Sequence, residues 1–186
     1  MTKGTYGGVA LVRAKCGVGK VNAAICAQML MGFYRPSAVA FSGVAGGLVR
    51  NMAVGDIVIA SHLIQFDVDL TAFGRRHGEL PDSNRIIESD PELVRIAGEA
   101  FDRAFPDSAD APGLMIGSVV SGDNYVNDSE TPRWLQGELT AMATEMEGVV
   151  VGKTCLLTHV PLVVRRGIYD LAGRTAPNAI KAQLHT

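Results

Sequence analysis

The sequence predicts an α/β protein of three layers, a mixed β-sheet with helices on both faces. Three observations lead there. Short apolar runs suited to strands alternate along the whole chain with longer segments of helical spacing. Glycine-rich stretches follow two of those runs, at Gly17–Gly19 and Gly43–Gly47, where a strand gives way to a turn or loop. The length of 186 residues, with 47% hydrophobic and 19% charged side chains, suits one domain with a sizeable core.

The elements follow in order. Val9, Leu11 and Val12 carry β-favouring chemistry, so Gly7–Lys15 reads as a strand. Cys16-Gly17-Val18-Gly19-Lys20 turns it into a helix over about Val21–Gly32. The glycines permit a tight turn, and the free amides of a helix start favour an anion. The phosphate-cradling pattern GxxxxGK[ST] is absent, and a plain strand–turn–helix connection is the simpler account. Ala38–Phe41 is a short apolar run suited to a central strand, and it leads into Ser42-Gly43-Val44-Ala45-Gly46-Gly47-Leu48. Glycines at the end of a central strand let a ligand approach the backbone. Val54-Gly55-Asp56 turns into the strand Ile57–Ala60. Gln65–Leu80 alternates loosely, and a surface hairpin with Phe73 packed on its own core is one account of it.

Ser89-Asp90-Pro91 has helix-start chemistry, and Leu93, Ile96, Ala97 and Ala100 keep helical spacing over about Pro91–Phe105. A polar loop, 106–112, precedes the β-rich run Leu114–Val120 and then Ser121-Gly122-Asp123-Asn124-Tyr125-Val126. Trp134–Leu139 suits a short helix. Another helix starts at Glu147 and runs through Leu157, and Val160-Pro161 introduces a last strand that ends on Asp170.

Composition narrows the function. A net charge of −2 offers no basic patch for nucleic acid or an anionic membrane. No apolar run reaches bilayer length and no charged-then-apolar leader opens the sequence, so a cytoplasmic protein is expected. Cys16, Cys26 and Cys155 are scattered, odd in number and without metal-ligand spacing. They are expected to be reduced, mostly buried thiols, and no metal or cofactor is expected.

Two stretches carry chemistry. Ala143-Thr144-Glu145-Met146-Glu147-Gly148-Val149 puts carboxylates on either side of a Met, and Val163–Asp170 is an apolar strand ending on an acid. A sugar with vicinal hydroxyls needs a carboxylate that accepts both hydrogen bonds and an apolar side chain against its ring. A leaving nucleobase needs an acid to protonate it. The plainer account is that Glu145 and Glu147 charge the first turn of a helix, where carboxylates complement the dipole.

CGVGKVNAA at 16–24, SGVAGGL at 42–48, VGDIV at 54–58, DVDLTAFGRRHGELP at 67–81, VVSGDNYVND at 119–128, ATEMEG at 143–148 and the strand to Asp170 occur in this order. The set resembles the 5'-methylthioadenosine/S-adenosylhomocysteine nucleosidase family, within the wider nucleoside phosphorylase superfamily, over about Val9 to Asp170. TAFG with its following G-x-L-P turn, together with TEMEG, is specific for the nucleosidase branch; GxGK and GGL alone carry little.

The resemblance implies a single nucleoside phosphorylase-like domain over residues 1–186, lacking the family's first strand and part of its C-terminal helix, here shortened to Ile180–Thr186. It implies hydrolysis of the N-glycosidic bond of an adenosine thioether, releasing adenine, by a homodimer without cofactor. Glu147 would hold the 2'- and 3'-hydroxyls with Met146 against the ribose. Asp170 would protonate the adenine, with Arg166 orienting this acid or the attacking water. Tyr125 would stack on the base (a buried core tyrosine is the alternative), and Val126 would read the base edge through its backbone. Val44, Ala45 and Gly46 belong to the substrate-facing glycine loop. Leu70 and Phe73 would line the pocket around the 5' substituent, in a segment reaching into the partner subunit's site. Glu145 counts with the ribose-binding stretch but receives no contact of its own; a fold or surface role is expected for it.

Three departures from the family pattern stand out. Val44 takes a position where a polar residue is common, and no arginine stands directly before the glycine loop. Phosphate would find little countercharge there, which argues against the purine nucleoside phosphorylase alternative. Tyr169 is bulkier than the small polar residue the family carries beside its acid. No acidic residue precedes Asp56, so the family's water-activating glutamate has no counterpart in that stretch. A catalytically inactive nucleoside-binding module is the alternative from a different class.

Overall fold

The computed structural model describes residues 1–106 and 111–173; the expected C-terminal helix segment, Ile180–Thr186, lies outside them. The chain opens with a hairpin, β1 (Thr2–Tyr6) and β2 (Val9–Arg13), antiparallel from Thr2↔Arg13 to Tyr6↔Val9. Gly7 and Gly8 both take positive φ, 55° and 80°, as a two-residue hairpin turn demands. The single strand expected over Gly7–Lys15 is therefore the second arm of this hairpin, its first glycines being the turn.

Next come α1 (Lys20–Tyr34), β3 (Val39–Gly47) and β4 (Ile57–Gln65). Both strands run further than their apolar cores suggest. The glycine-rich stretch of β3 is strand, not loop, because it pairs in parallel with the last strand along its whole length. A single 3-10 turn at Thr71–Phe73 stands where a hairpin was expected. The short β5 (Ile86–Glu88) follows, then α2 (Pro91–Ala104), β6 (Leu114–Ser121) and α3 (Thr131–Leu139). Last are β7 (Ala141–Glu145), α4 (Gly148–Thr158) and β8 (Leu162–Leu171). Helix α2 starts as its sequence dictates: the Asp90 carboxylate accepts the Leu93 N–H at 2.9 Å and Pro91 follows.

The mixed six-stranded sheet has the order β5-β4-β6-β7-β3-β8, and β4 also pairs antiparallel with β8, so the sheet curls until it closes. Helix α4 lies over β3–β6 and β8 with α1 packed outside it, α2 rests on β4 and β8, and α3 on β6 and β7. This is the helix-flanked α/β architecture that the element pattern predicts. Val58, Ala60, Leu63, Val119, Ala143 and Val164 are fully buried at its centre. Each large apolar side chain so buried contributes about 1.5–3 kcal/mol.

What positions the site is the ends of these strands. A register shift between Ala45 and Gly46 sets Gly46 opposite Asp170. On its other edge β3 meets β7 only at Gly46 and Gly47, which face Thr144 and Ala143. The C-terminal ends of β3, β6, β7 and β8 thus come together.

Candidate active site

Strand β7 delivers the carboxylate–Met–carboxylate stretch to the start of α4, and the two acids part there. Glu145 turns inward and is 6% exposed. Its carboxylate accepts the N–H groups of Glu147 and Gly148 at 2.8–2.9 Å, satisfying amides at the head of α4. The Ser121 hydroxyl also donates to it, and itself accepts the Val149 N–H at 2.8 Å. Arg166 Nη2 donates to Glu145 Oε2 at 2.5 Å. A surface role for Glu145 is thereby excluded: it is the hub of a buried network, and its carboxylate is fully occupied.

Arg166 is 1% exposed, with its guanidinium 4.3 Å from the Phe41 ring centroid. Its Nη1 fills the space above Gly43, where a Cβ would stand 2.1 Å away. Arg166 is expected to orient Asp170 or the attacking water; among the described residues its hydrogen bond goes to Glu145 and none joins it to Asp170. The guanidinium pairs with Glu145, because a buried cation is tolerable only beside a carboxylate and β7 supplies one.

Glu147 goes the other way. Its Oε1 accepts the N–H of Gly19 at 2.6 Å, and it supplies no side-chain cap to α4. Burial pushes this carboxyl above the usual carboxylate range, the Gly19 amide opposes that, and the neighbouring Glu145 charge adds to it. The anion that the glycine turn attracts is thus a protein carboxylate. Gly19 has φ 91°, so glycine is what the turn requires. Lys20 beside it is fixed by Asp67 at 2.5 Å and Asp123 at 3.3 Å, tying the turn to the loops after β4 and β6.

Asp170 lies at the end of β8. Its Oδ2 accepts the Tyr125 hydroxyl at 3.0 Å, while its buried Oδ1 has no hydrogen-bond partner among the described residues. Gly46 makes room for that oxygen: a Cβ there would come within 2.9 Å of Oδ1. Around Asp170 opens a cleft lined by Gly46, Asn124, Tyr125, Val126, Thr144, Met146 and Ala172, with Glu145 at its floor.

The structure therefore brings Gly46, Tyr125, Val126, Met146 and Asp170 to one cleft. Tyr125 is 49% exposed, which excludes the buried core tyrosine. Val126 is buried, so its backbone is what it offers. Ala45 points into the core and Val44 outward, 61% exposed. Leu70 and Phe73 do not line the cleft within one chain, and Phe73 is 81% exposed rather than packed on its own core. Sequence reasoning missed Ser121, Lys20, Asp67 and Thr144. Only Lys20, inside the GVGK turn, carried a local signal. Of the thiols, Cys155 is buried and Cys16 and Cys26 are half-buried, all free. No group of three metal-ligating side chains occurs among the described residues. A larger cavity, about 420 Å³, opens between β4, β5 and α2. None of the sequence-predicted site residues lines it, so its volume does not mark the chemistry.

This geometry has close counterparts. The chain is 33% identical to the 5'-methylthioadenosine/S-adenosylhomocysteine nucleosidase of Geobacillus kaustophilus over 186 residues, covering all of this chain and 77% of that one. It is 36% identical to the enzyme of the same name from Exiguobacterium sp. over 175 residues, 94% of this chain and 73% of that one. A crystal structure of a Helicobacter pylori MTAN mutant with 5'-methylthioadenosine in the active site superposes with a TM-score of 0.89 at 32% identity. That match covers 97% of this chain and 75% of the other. Residues 1–184 match the phosphorylase superfamily. With its fold, its strand-end acid and its TEMEG turn all in place, the chain belongs to that superfamily, in its 5'-methylthioadenosine/S-adenosylhomocysteine nucleosidase family.

Proposed function

We propose that this protein hydrolyses the N-glycosidic bond of an adenosine thioether, 5'-methylthioadenosine or S-adenosylhomocysteine, releasing adenine. The observation that carries the reading is Asp170: a strand-end acid in a cleft shared with Met146 and Tyr125, with one buried oxygen that has no hydrogen-bond partner among the described residues. Such an oxygen is placed to give a proton to a departing base. Water adds to the anomeric carbon as the bond to the base breaks, the base leaves with the proton from Asp170, and the proton shed by the added water passes to solvent, from which Asp170 is reprotonated. Glu147 as an anion holds the ribose hydroxyls, and fixed charge in a water-poor site stabilises the positive charge that develops on the sugar. Met146 packs on the ribose, the Tyr125 ring on the adenine, and the Val126 backbone reads the base edge. Gly46, with its neighbours Val44 and Ala45, lets the substrate lie close to β3.

Water rather than phosphate is the acceptor in this reading, because Arg166 is committed to Glu145 and Val44 offers no polar group. Leu70 and Phe73 serve the 5' substituent from a partner subunit, which makes the enzyme a homodimer. Its place is the cytoplasm; among the described residues no helix is long and apolar enough to cross a membrane.

The test is release of adenine from 5'-methylthioadenosine in phosphate-free buffer, followed by chromatography. Cleavage only when phosphate is added would make the protein a phosphorylase, and tight nucleoside binding without turnover would make it a binding module. Sedimentation that shows a monomer with ligand bound would remove the partner role of Phe73.

A further inference from the structure

Asp170 has two oxygens in unlike surroundings. Oδ2 accepts the Tyr125 hydroxyl at 3.0 Å, from a loop 45 residues away in sequence. Oδ1 is buried, without a partner among the described residues, and lies over the bare Cα of Gly46. A free carboxylic acid can carry its proton on either oxygen and rotate between the two. One that accepts a hydrogen bond on one oxygen keeps its own proton on the other.

We propose that the Tyr125 hydroxyl is a positioning group for Asp170, holding Oδ2 so that Oδ1 alone presents the proton to the departing base. This rests on the nucleosidase reading above. It gives Tyr125 a second task beside stacking: its ring faces the base while its hydroxyl holds the acid. The phenol itself bears the mark of this placement, pushed up to about 12 by burial first and then by its bond to the Asp170 carboxyl. The other groups packed around the pair are Gly46 from β3 and Thr144 from β7, which do not titrate, and Tyr169 from β8, which acts on Tyr125 through its charge.

The experiment compares pH–rate profiles of the parent, Tyr125→Phe and Asp170→Asn with 5'-methylthioadenosine as substrate. Tyr125→Phe keeps the ring, so its melting temperature and KM should stay near those of the parent. Its kcat should fall about tenfold, the size of one lost hydrogen bond in the transition state. The shape of the pH–rate profile should change as well, because the hydroxyl no longer donates to Oδ2. A Tyr125→Phe profile that superimposes on the parent's, or a change in KM alone, overturns the inference and leaves the nucleosidase reading intact. A parent that releases no adenine, or an Asp170→Asn enzyme as fast as the parent, overturns the reading beneath it. A readout independent of turnover is the ultraviolet titration of phenolate. The parent-minus-Tyr125→Phe difference should titrate near 12 and move to lower pH in an Asp170→Asn background. If Asp170→Asn leaves that difference unchanged, the pairing is refuted.

Discussion

Arg166 and Glu145 meet at 2.5 Å with both side chains 2% exposed, joining β8 to the end of β7 beneath the cleft. Removing one partner of a buried ion pair leaves the other charge unpaired, which costs about 3–5 kcal/mol. Arg166→Met and Glu145→Gln should each lower the unfolding free energy, read from the urea midpoint, by that amount, and any loss of turnover should follow from the weakened fold. A normal midpoint with abolished turnover would instead return Arg166 to direct catalysis.

Asp170→Asn should bind the nucleoside as the parent does and lose about a hundredfold or more in kcat, the scale of general-acid catalysis. Glu147→Gln should weaken binding and turnover together, because the ribose loses its anchor in ground and transition states alike. Titration calorimetry alongside steady-state rates separates the two patterns. An Asp170→Asn protein with full turnover would refute the assigned acid.

If Glu147 holds the ribose as proposed, ligand affinity should depend on pH through it. Its carboxyl is held above the usual carboxylate range, chiefly by burial, and the ribose needs its ionised form. Affinity should therefore fall, as pH is lowered, at a higher pH than an ordinary glutamate would give. The raised value has the opposite sign for stability: its contribution is full below the unfolded pKa and is lost as pH rises through the folded one. Calorimetry between about pH 4 and 8 checks the affinity, with Glu147→Gln expected to remove the dependence.

Lys20 and Asp67 form a mostly buried pair at 2.5 Å. Burial alone would raise Asp67, but hydrogen bonds from Lys20, the Asp123 amide and Gln65 outweigh it and hold the carboxyl below its ordinary value. Stability from this pair is present above the unfolded carboxylate pKa and is lost as pH falls through the depressed one. Asp67→Asn should lower stability by about 1–3 kcal/mol at neutral pH and by much less in acid. Equal losses at both would show that packing, not charge, is what the substitution removes.

The features legible in the sequence were local ones. Asp90-Pro91 announces α2 because cap and proline act within one turn, and the apolar run before Asp170 announces β8. The hairpin turn Gly7-Gly8 was written in the sequence as two adjacent glycines, yet the arm before it, Thr2–Tyr6, has no apolar run to mark it. β5 and β7 escaped for a related reason. Three residues show no periodicity, and Ala141-Met142-Ala143-Thr144-Glu145 has a single β-branched residue. Their pairing with β4 in one case, and with β3 and β6 in the other, makes them strands.

By itself the sequence determined the family, the α/β layering, and the candidates for the site, a strand-end acid and a pair of carboxylates around Met146. Only the tertiary structure decided where each acid goes. Glu145 and Glu147 are two residues apart and chemically alike, and nothing local separates them. One is held inward by Ser121, 24 residues before it, and Arg166, 21 after it; the other meets an amide 128 residues away. A buried charge must find its hydrogen-bond partners wherever the sheet brings them, and sheet topology, unlike a cap or a turn, is settled by the whole chain at once.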